Sequence, residues 1–259
     1  MNNEEMNAEG VRWPDDKGVF RQAWRCYRED FIVLWVASGA TAMLNAFVRS
    51  QSGRLGEGGY HVLALAVMLV TEIGLYKLCW DIWYAGKTRF RELLYVFLRP
   101  KRLISAAFLC LLLLTARVGR LGLETWLSVL GGVFLQSDWG RRLVGVLFLV
   151  YLWYVYFRLF PAKYLLVSGQ KADIWQLLRQ CWQITRGLDF DVLAFYWGIF
   201  WRTFLVSLPL VFWADPFTVP VVYHFWYDLL IVPYIFLAHA GFAEELVRFA
   251  EEKRGKAHV

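Results

Sequence analysis

The sequence predicts an all-α protein, a polytopic transmembrane bundle of six helical spans with three amphipathic helices at the cytoplasmic interface. Three observations lead there. The chain is 58% hydrophobic and 19% charged over 259 residues, too few charges to clothe a soluble domain of that length. Its apolar residues fall in runs near the 20 that a helix needs to cross a hydrocarbon layer. Its basic residues crowd into alternate links between those runs, as chains that cross a bilayer back and forth require.

The runs are Phe31–Val48, His61–Tyr84, Leu103–Ala116, Leu143–Val167, Phe190–Trp213 and Val221–Ala243. The first 30 residues are polar and lack the apolar centre of a signal peptide, so the first span is expected to serve as the insertion signal. Nothing outside the runs is large enough for a separate soluble domain, and residues 1–259 read as a single integral membrane domain.

Orientation follows from the links. The segment before span one, the links between spans two and three and between spans four and five, and the C-terminal segment together carry 19 Lys and Arg. The opposite links carry six: Arg49, Arg54, Arg117, Arg120, Arg141 and Arg142. Cytoplasmic links hold the positive excess, so both ends are expected inside, with tails at 1–15 and 244–259, in a bacterial plasma membrane. Residues 121–135, with GLETWLSVLGG at their heart, are short for a span and contain Glu124. They read as an outer extension or a membrane-hugging helix.

Three cytoplasmic segments share one pattern: KGVFRQAWRCY from Lys17, KTRFRELLYVF from Lys87 and KADIWQLLRQC from Lys171. In each, an apolar residue three positions after the lysine is followed by others three, four and seven positions further on, which puts one stripe on one helix face. The stripes hold Phe20, Trp24 and Tyr27 in the first segment and Phe90, Leu94 and Phe97 in the second. In the third, Ile174 is followed by Leu177, Leu178 and Cys181, with Trp182 on the same side. Arg21, Arg25 and Arg28, then Arg89, Arg91 and Glu92, then Gln176, Arg179 and Gln183 form the polar faces. Such helices suit a membrane interface, with the stripe in the acyl boundary and the arginines at anionic headgroups. The starting lysines lie 70 and then 84 residues apart. That spacing predicts one unit used three times, an interfacial helix plus a two-span hairpin, over about 16–84, 87–167 and 171–243.

Ionisable residues at bilayer depth usually have a partner or a task. Glu72 in span two and Arg202 in span five stand at similar depth, so an intramembrane Glu72–Arg202 pair is expected. Asn45, Lys77, Asp81, Arg158, Asp228 and His239 supply a further polar interior, with Lys77 and Asp81 four apart on one helix face. Pro209 and Pro233 are expected to kink spans five and six. Cys26, Cys79, Cys110 and Cys181 form no CxxC and read as packing residues. There is no nucleophile elbow, phosphate-binding glycine loop, zinc-protease signature or dinucleotide fingerprint in the sequence. No enzyme, cofactor or metal site is expected, and the inner membrane surface accounts for the basic excess without nucleic acid.

The second half has a recognisable texture. FPAKYLLVSGQKADIWQLLRQCWQITRGLDFDVLAFYWGIFW, followed by VPYIFLAHAGFAEEL, resembles an uncharacterised bacterial family of polytopic membrane proteins, a domain of unknown function. More distantly it is similar to the membrane domain attached to some glycerophosphodiester phosphodiesterases. The features that carry the likeness are Tyr164, the Arg186–Gly187 step, Trp201 and the Pro233–Tyr234 pair; Gln183 and Phe242–Ala243 depart from the pattern. The resemblance implies a bacterial membrane protein and supplies no activity. Three readings stand: a non-enzymatic accessory or organising component resting on membrane lipids of the anionic inner leaflet; a small-solute transporter or channel-like protein with a polar path at Glu72 and Arg202; or a lipid-binding, lipid-handling domain. A wet mid-depth cavity would favour the second, and a lateral groove beside the short helices the third.

Overall fold

The computed structural model describes residues 16–51, 54, 57–86, 88–113, 138–169, 173–213 and 227–256, and among them every regular element is helical. Residues 121–135 lie outside the described residues.

Helix α1, Asp16–Glu29, runs almost unbroken into α2, Phe31–Ser50, since the Asp30 carbonyl still accepts the Leu34 N–H at 3.0 Å. The next stretch is one long rod in three pieces: α3, Glu57–Met68; a π-helical turn, Leu69–Gly74; and α4, Leu75–Ala85. Gly86 ends it with φ 62°, its N–H bonded to Ile82 at 3.0 Å; a residue without Cβ takes this left-handed cap at no steric cost. The wider π turn brings Gly74 against the backbone of the following segment. A Cβ on Gly74 would lie 2.0 Å from the Leu93 carbonyl oxygen, so only glycine fits.

The second amphipathic segment differs from expectation. Instead of an α-helix over Lys87–Phe97, it forms a 3-10 turn, Phe90–Leu94, followed by turns through Leu98. Pro100 opens the next helix, α5 (100–113). It suits a first helical position but pushes the residue before it out of the α region, so the chain must break before residue 100. Tyr95 and Val96 turn inward and are buried.

Span four is also broken. Helix α6, Asp138–Trp153, loosens into a π turn at Tyr154–Arg158 and stops; α7, Ala162–Val167, restarts after Pro161. Proline has no N–H for the ladder and disfavours helix at Phe160. Helix α8, Ile174–Thr185, is capped by the Asp173 carboxylate, which accepts the Gln176 N–H. Helix α9 is Asp189–Trp213 and passes through Pro209. A π turn, Tyr227–Ile231, leads into α10, Val232–Lys256. The widening sits where the Pro233 ring would otherwise press on the carbonyl four residues earlier.

Helix α10 is the hub, packed against α1, α2, α4, α7 and α8. Small residues make this work: Ala238, Ala240 and Ala243 are fully buried, and Gly241 receives the Trp83 ring so closely that a Cβ would fall 2.4 Å from it. Close backbone approach through small residues is how helices associate where lipid offers no hydrophobic drive. Residues 244–256, read as a tail, instead continue α10 and bury Leu246, Val247 and Phe249.

Among the described residues three helices are long and apolar enough to cross a membrane: Phe31–Val48, Val62–Ala85 and Leu229–Lys253. The first of these has the bounds read from the sequence; the last runs past the expected end at Ala243, and the expected start at Val221 lies outside the described residues. Outward faces agree with an apolar solvent. Helix α2 turns Leu34, Ala37 and Ala42 inward but exposes Ile32, Val36, Met43 and Phe47, while α9 exposes Trp197, Phe200, Phe204 and Leu205. Continuous apolar faces of this extent are a liability in water and ordinary against lipid.

Candidate functional site

The centre of the bundle is buried and aromatic. Phe195 stacks on Phe242 with ring centres 4.4 Å apart, and Phe160 meets both edge-on. His239 lies flat on Phe160 at 4.0 Å and hydrogen bonds through Nδ1 with the Tyr76 hydroxyl at 3.1 Å.

Beside this stack sits an ion pair the sequence did not predict. Glu72, on the π turn, accepts from Lys163 Nζ at 2.6 Å, and the two side chains are only 7% and 12% exposed. Lys163 also lies over the Phe236 ring at 4.6 Å. The expected Glu72–Arg202 pairing is thereby corrected: Glu72 takes Lys163, and Arg202 lies elsewhere, against Gly198 and Phe20. Lys163 is one of the 19 cations counted above on the cytoplasmic side. The break at Pro161 carries it back into the bundle, where an unneutralised carboxylate would be costly.

Other sequence-predicted polar residues fall into separate places. Lys77 and Asp81 form the i,i+4 ion pair expected of them, with Lys77 also over the Trp80 ring. Arg158 clamps two elements together, donating to the Thr185 carbonyl at 2.8 Å and to Asp189 at 3.1 Å between the rings of Trp153 and Trp182. Asn45 is half-buried on α2. Asp228 falls in the π turn before α10, and its side chain lies outside the described residues. Sequence reasoning missed Glu244, which accepts the Trp83 indole N–H at 2.8 Å, and Arg102, which reaches the Leu166 and Gly169 carbonyls at 2.9 and 3.1 Å. All four cysteines are free and buried. Burial pushes the Cys26 and Cys181 thiols up from their ordinary range, which keeps them protonated and inert.

The amphipathic segments keep their polar faces outward, but their stripes pack on protein more than expected. On α1, Phe20, Ala23 and Tyr27 are buried, and Trp24 stays half exposed. On α8 the inward face is Leu177, Cys181 and Ile184; Ile174 and Leu178 flank it, and Trp182 is turned outward. Leu177 and Cys181 of the expected stripe are thus its buried centre, while Trp182, expected on the same face, is turned away from it. Phe90, Leu94 and Phe97 remain exposed.

Helix α1 does more than rest on the bundle. Between it, α9 and the start of α10 lies a half-open groove of about 720 Å³. Aromatic rings of Phe20, Trp24, Tyr27 and Tyr234 form one wall, and Leu205, Leu230 and Ile231 line the rest. Lys17, Arg21 and Arg202 also line it. Arg202 bends back one turn toward the start of α9, where its Nη1 donates to the Gly198 carbonyl at 3.0 Å and its guanidinium covers the Phe20 ring at 3.8 Å. Helical side chains lean toward their own N-terminus, and long cationic ones lay their stems on apolar surface while the head seeks polarity. The size is that of a small-molecule site, and its mostly apolar lining with a few convergent polar groups is the usual make-up of one.

Comparison of the chain with protein-family models, with curated proteins and with solved structures returns no match to any of them.

Proposed function

We propose that this chain is a non-enzymatic, six-span membrane protein that works by holding membrane lipid in the groove on its flank. The observation that carries the reading is the groove itself: a half-open, mainly apolar cavity beside an amphipathic helix, with three cations among its lining residues. A lipid can enter it from the side, as the apolar outer face of α9 would be in contact with acyl chains. The close-packed aromatic centre and the Lys163-neutralised Glu72 speak against a polar path for solutes at mid-depth.

The charge distribution of the links supports both ends in the cytoplasm, and the resemblance noted above supports a bacterial plasma membrane. The three amphipathic segments support a repeat of position, each opening a two-helix unit, although the middle one is a 3-10 turn. Reporter fusions at the two ends should report the same side of the membrane; opposite sides would remove the six-span arrangement. The function is tested by filling the groove. Leu205→Trp with Ile231→Trp should leave the protein folded but reduce the lipid that survives detergent washing, measured by mass spectrometry of the intact protein. Unchanged lipid retention in the filled variant would end the proposal.

A further inference from the structure

The charges lining the groove have a direction to them. Arg202 stands 13 residues into α9, in a helix whose neighbouring side chains are Trp197, Phe200, Phe204 and Leu205. Among the described residues its contacts are the carbonyl of Gly198 and the face of Phe20, neither of which carries a formal charge. Among the described residues the groove lining includes no Asp or Glu, but adds Lys17 and Arg21 from the first turns of α1. The buried cations behave otherwise: Lys163 has Glu72, Lys77 has Asp81 and Arg158 has Asp189. A cation on an apolar helix, with no carboxylate beside it among the described residues, is suited to an anion from outside the chain. Two of the three groups are guanidinium forks, whose donors match phosphate oxygens in pairs. Tyr27 and Tyr234 line the same space, and their hydroxyls are of a kind suited to ester or glycerol oxygens.

Resting on the groove reading above, we propose that the occupant is an anionic glycerophospholipid whose phosphate is held by Arg202, Arg21 and Lys17 and whose upper acyl chain lies along Leu205, Leu230 and Ile231. The order of the helices fits this polarity. Leu205 lies beyond Arg202 from the start of α9, and Leu230 and Ile231 precede Tyr234, so the apolar contacts lie on the far side of the cations from Lys17. Helix α1 supplies cations and aromatic wall together, so it acts as one jaw of the site.

The test uses the full chain in mild detergent, with phosphatidylglycerol or phosphatidylcholine added at equal concentration and bound lipid counted by native mass spectrometry. Both lipids carry a phosphate and equal chains; only the first is anionic overall. Wild type should hold phosphatidylglycerol in preference, by about fivefold for each cation engaged. Arg202→Gln and Arg21→Gln should each lower that preference, whereas Arg202→Lys should keep most of it. Arg21 is exposed on α1, so its variant reports even if the Arg202 change disturbs folding. Glycerol phosphate, the headgroup without chains, should fail to displace the lipid at the same concentration. Equal binding of the two lipids by wild type, or a preference untouched by both glutamine variants, overturns the anionic assignment while leaving the groove intact. Displacement by glycerol phosphate overturns it in favour of a soluble phosphate ester. Loss of all lipid difference between wild type and the Leu205→Trp, Ile231→Trp variant removes the groove reading as well.

Discussion

Arg158 and Arg202 are the same residue in the same kind of place, an apolar helix with aromatic rings alongside, yet the bundle treats them in opposite ways. Arg158 is 8% exposed, held between two indoles, with Thr185 and Asp189 taking its donors. Arg202 leans on one phenyl ring and one carbonyl of its own helix, and faces the groove. The first ties α8 and α9 to the end of span four. The second holds nothing together across elements apart from its contact with α1. A charge inside a membrane bundle therefore carries no single meaning. Its neighbours decide whether it is a rivet or a receptor.

That contrast is broken most directly by truncating both. Arg158→Ala strands the Asp189 carboxylate and the Thr185 carbonyl, and should cost about 3–5 kcal/mol of stability. Arg202→Ala should cost no more than about 1 kcal/mol, the scale of one cation–aromatic contact at an open site. Thermal unfolding of the detergent-solubilised protein compares them, and equal losses would erase the distinction. A cycle on the closed side comes next. Glu72→Gln and Lys163→Gln should each destabilise, and the double variant should recover about 1–3 kcal/mol relative to the sum. Additive losses would mean the pair is not energetically coupled.

Smaller effects test how tightly the hub is fitted. Gly241→Val places bulk where the Trp83 ring now sits and should cost about 1–3 kcal/mol. The companion change Trp83→Ala in the same chain should relieve part of that loss, and no relief would locate the strain elsewhere. Smallest of all, Glu244→Gln weakens but keeps an acceptor for the Trp83 indole. Its cost should stay near 0.5–1 kcal/mol, read as a slight fall in the unfolding midpoint with unchanged lipid binding.

Much of this organisation was legible in the order of residues, and the part that was not has definable causes. Span one has the bounds its apolar run implied because its length and composition suffice for that. Lys77 and Asp81 pair because they sit four apart on one helix, a purely local relation. Outward arginines on α1 were equally local. Glu72 failed the same kind of reasoning because its partner lies 91 residues away, on a chain turned inward by Pro161, and depth alone cannot choose among cations. On α8 the spacing found Leu177 and Cys181, but it also admitted Trp182, which the packing turns outward, since only the shape of the hub decides where the stripe ends. The groove has no linear signature at all. Its lining is drawn from α1, α9 and the turn into α10, segments separated by most of the chain.

The place of α10 at the middle has a consequence for biogenesis. The ribosome delivers that element after all of its mates, so α1, α2, α4, α7 and α8 are made before the surface they share exists. Glu72 and Lys163 can find one another by then, but Trp83 must wait for Gly241 and Glu244, and Tyr76 for His239. Closure of the assembly is thus a late, single docking event, and a translation product halted ahead of Val232 would be a set of inserted hairpins with no keystone.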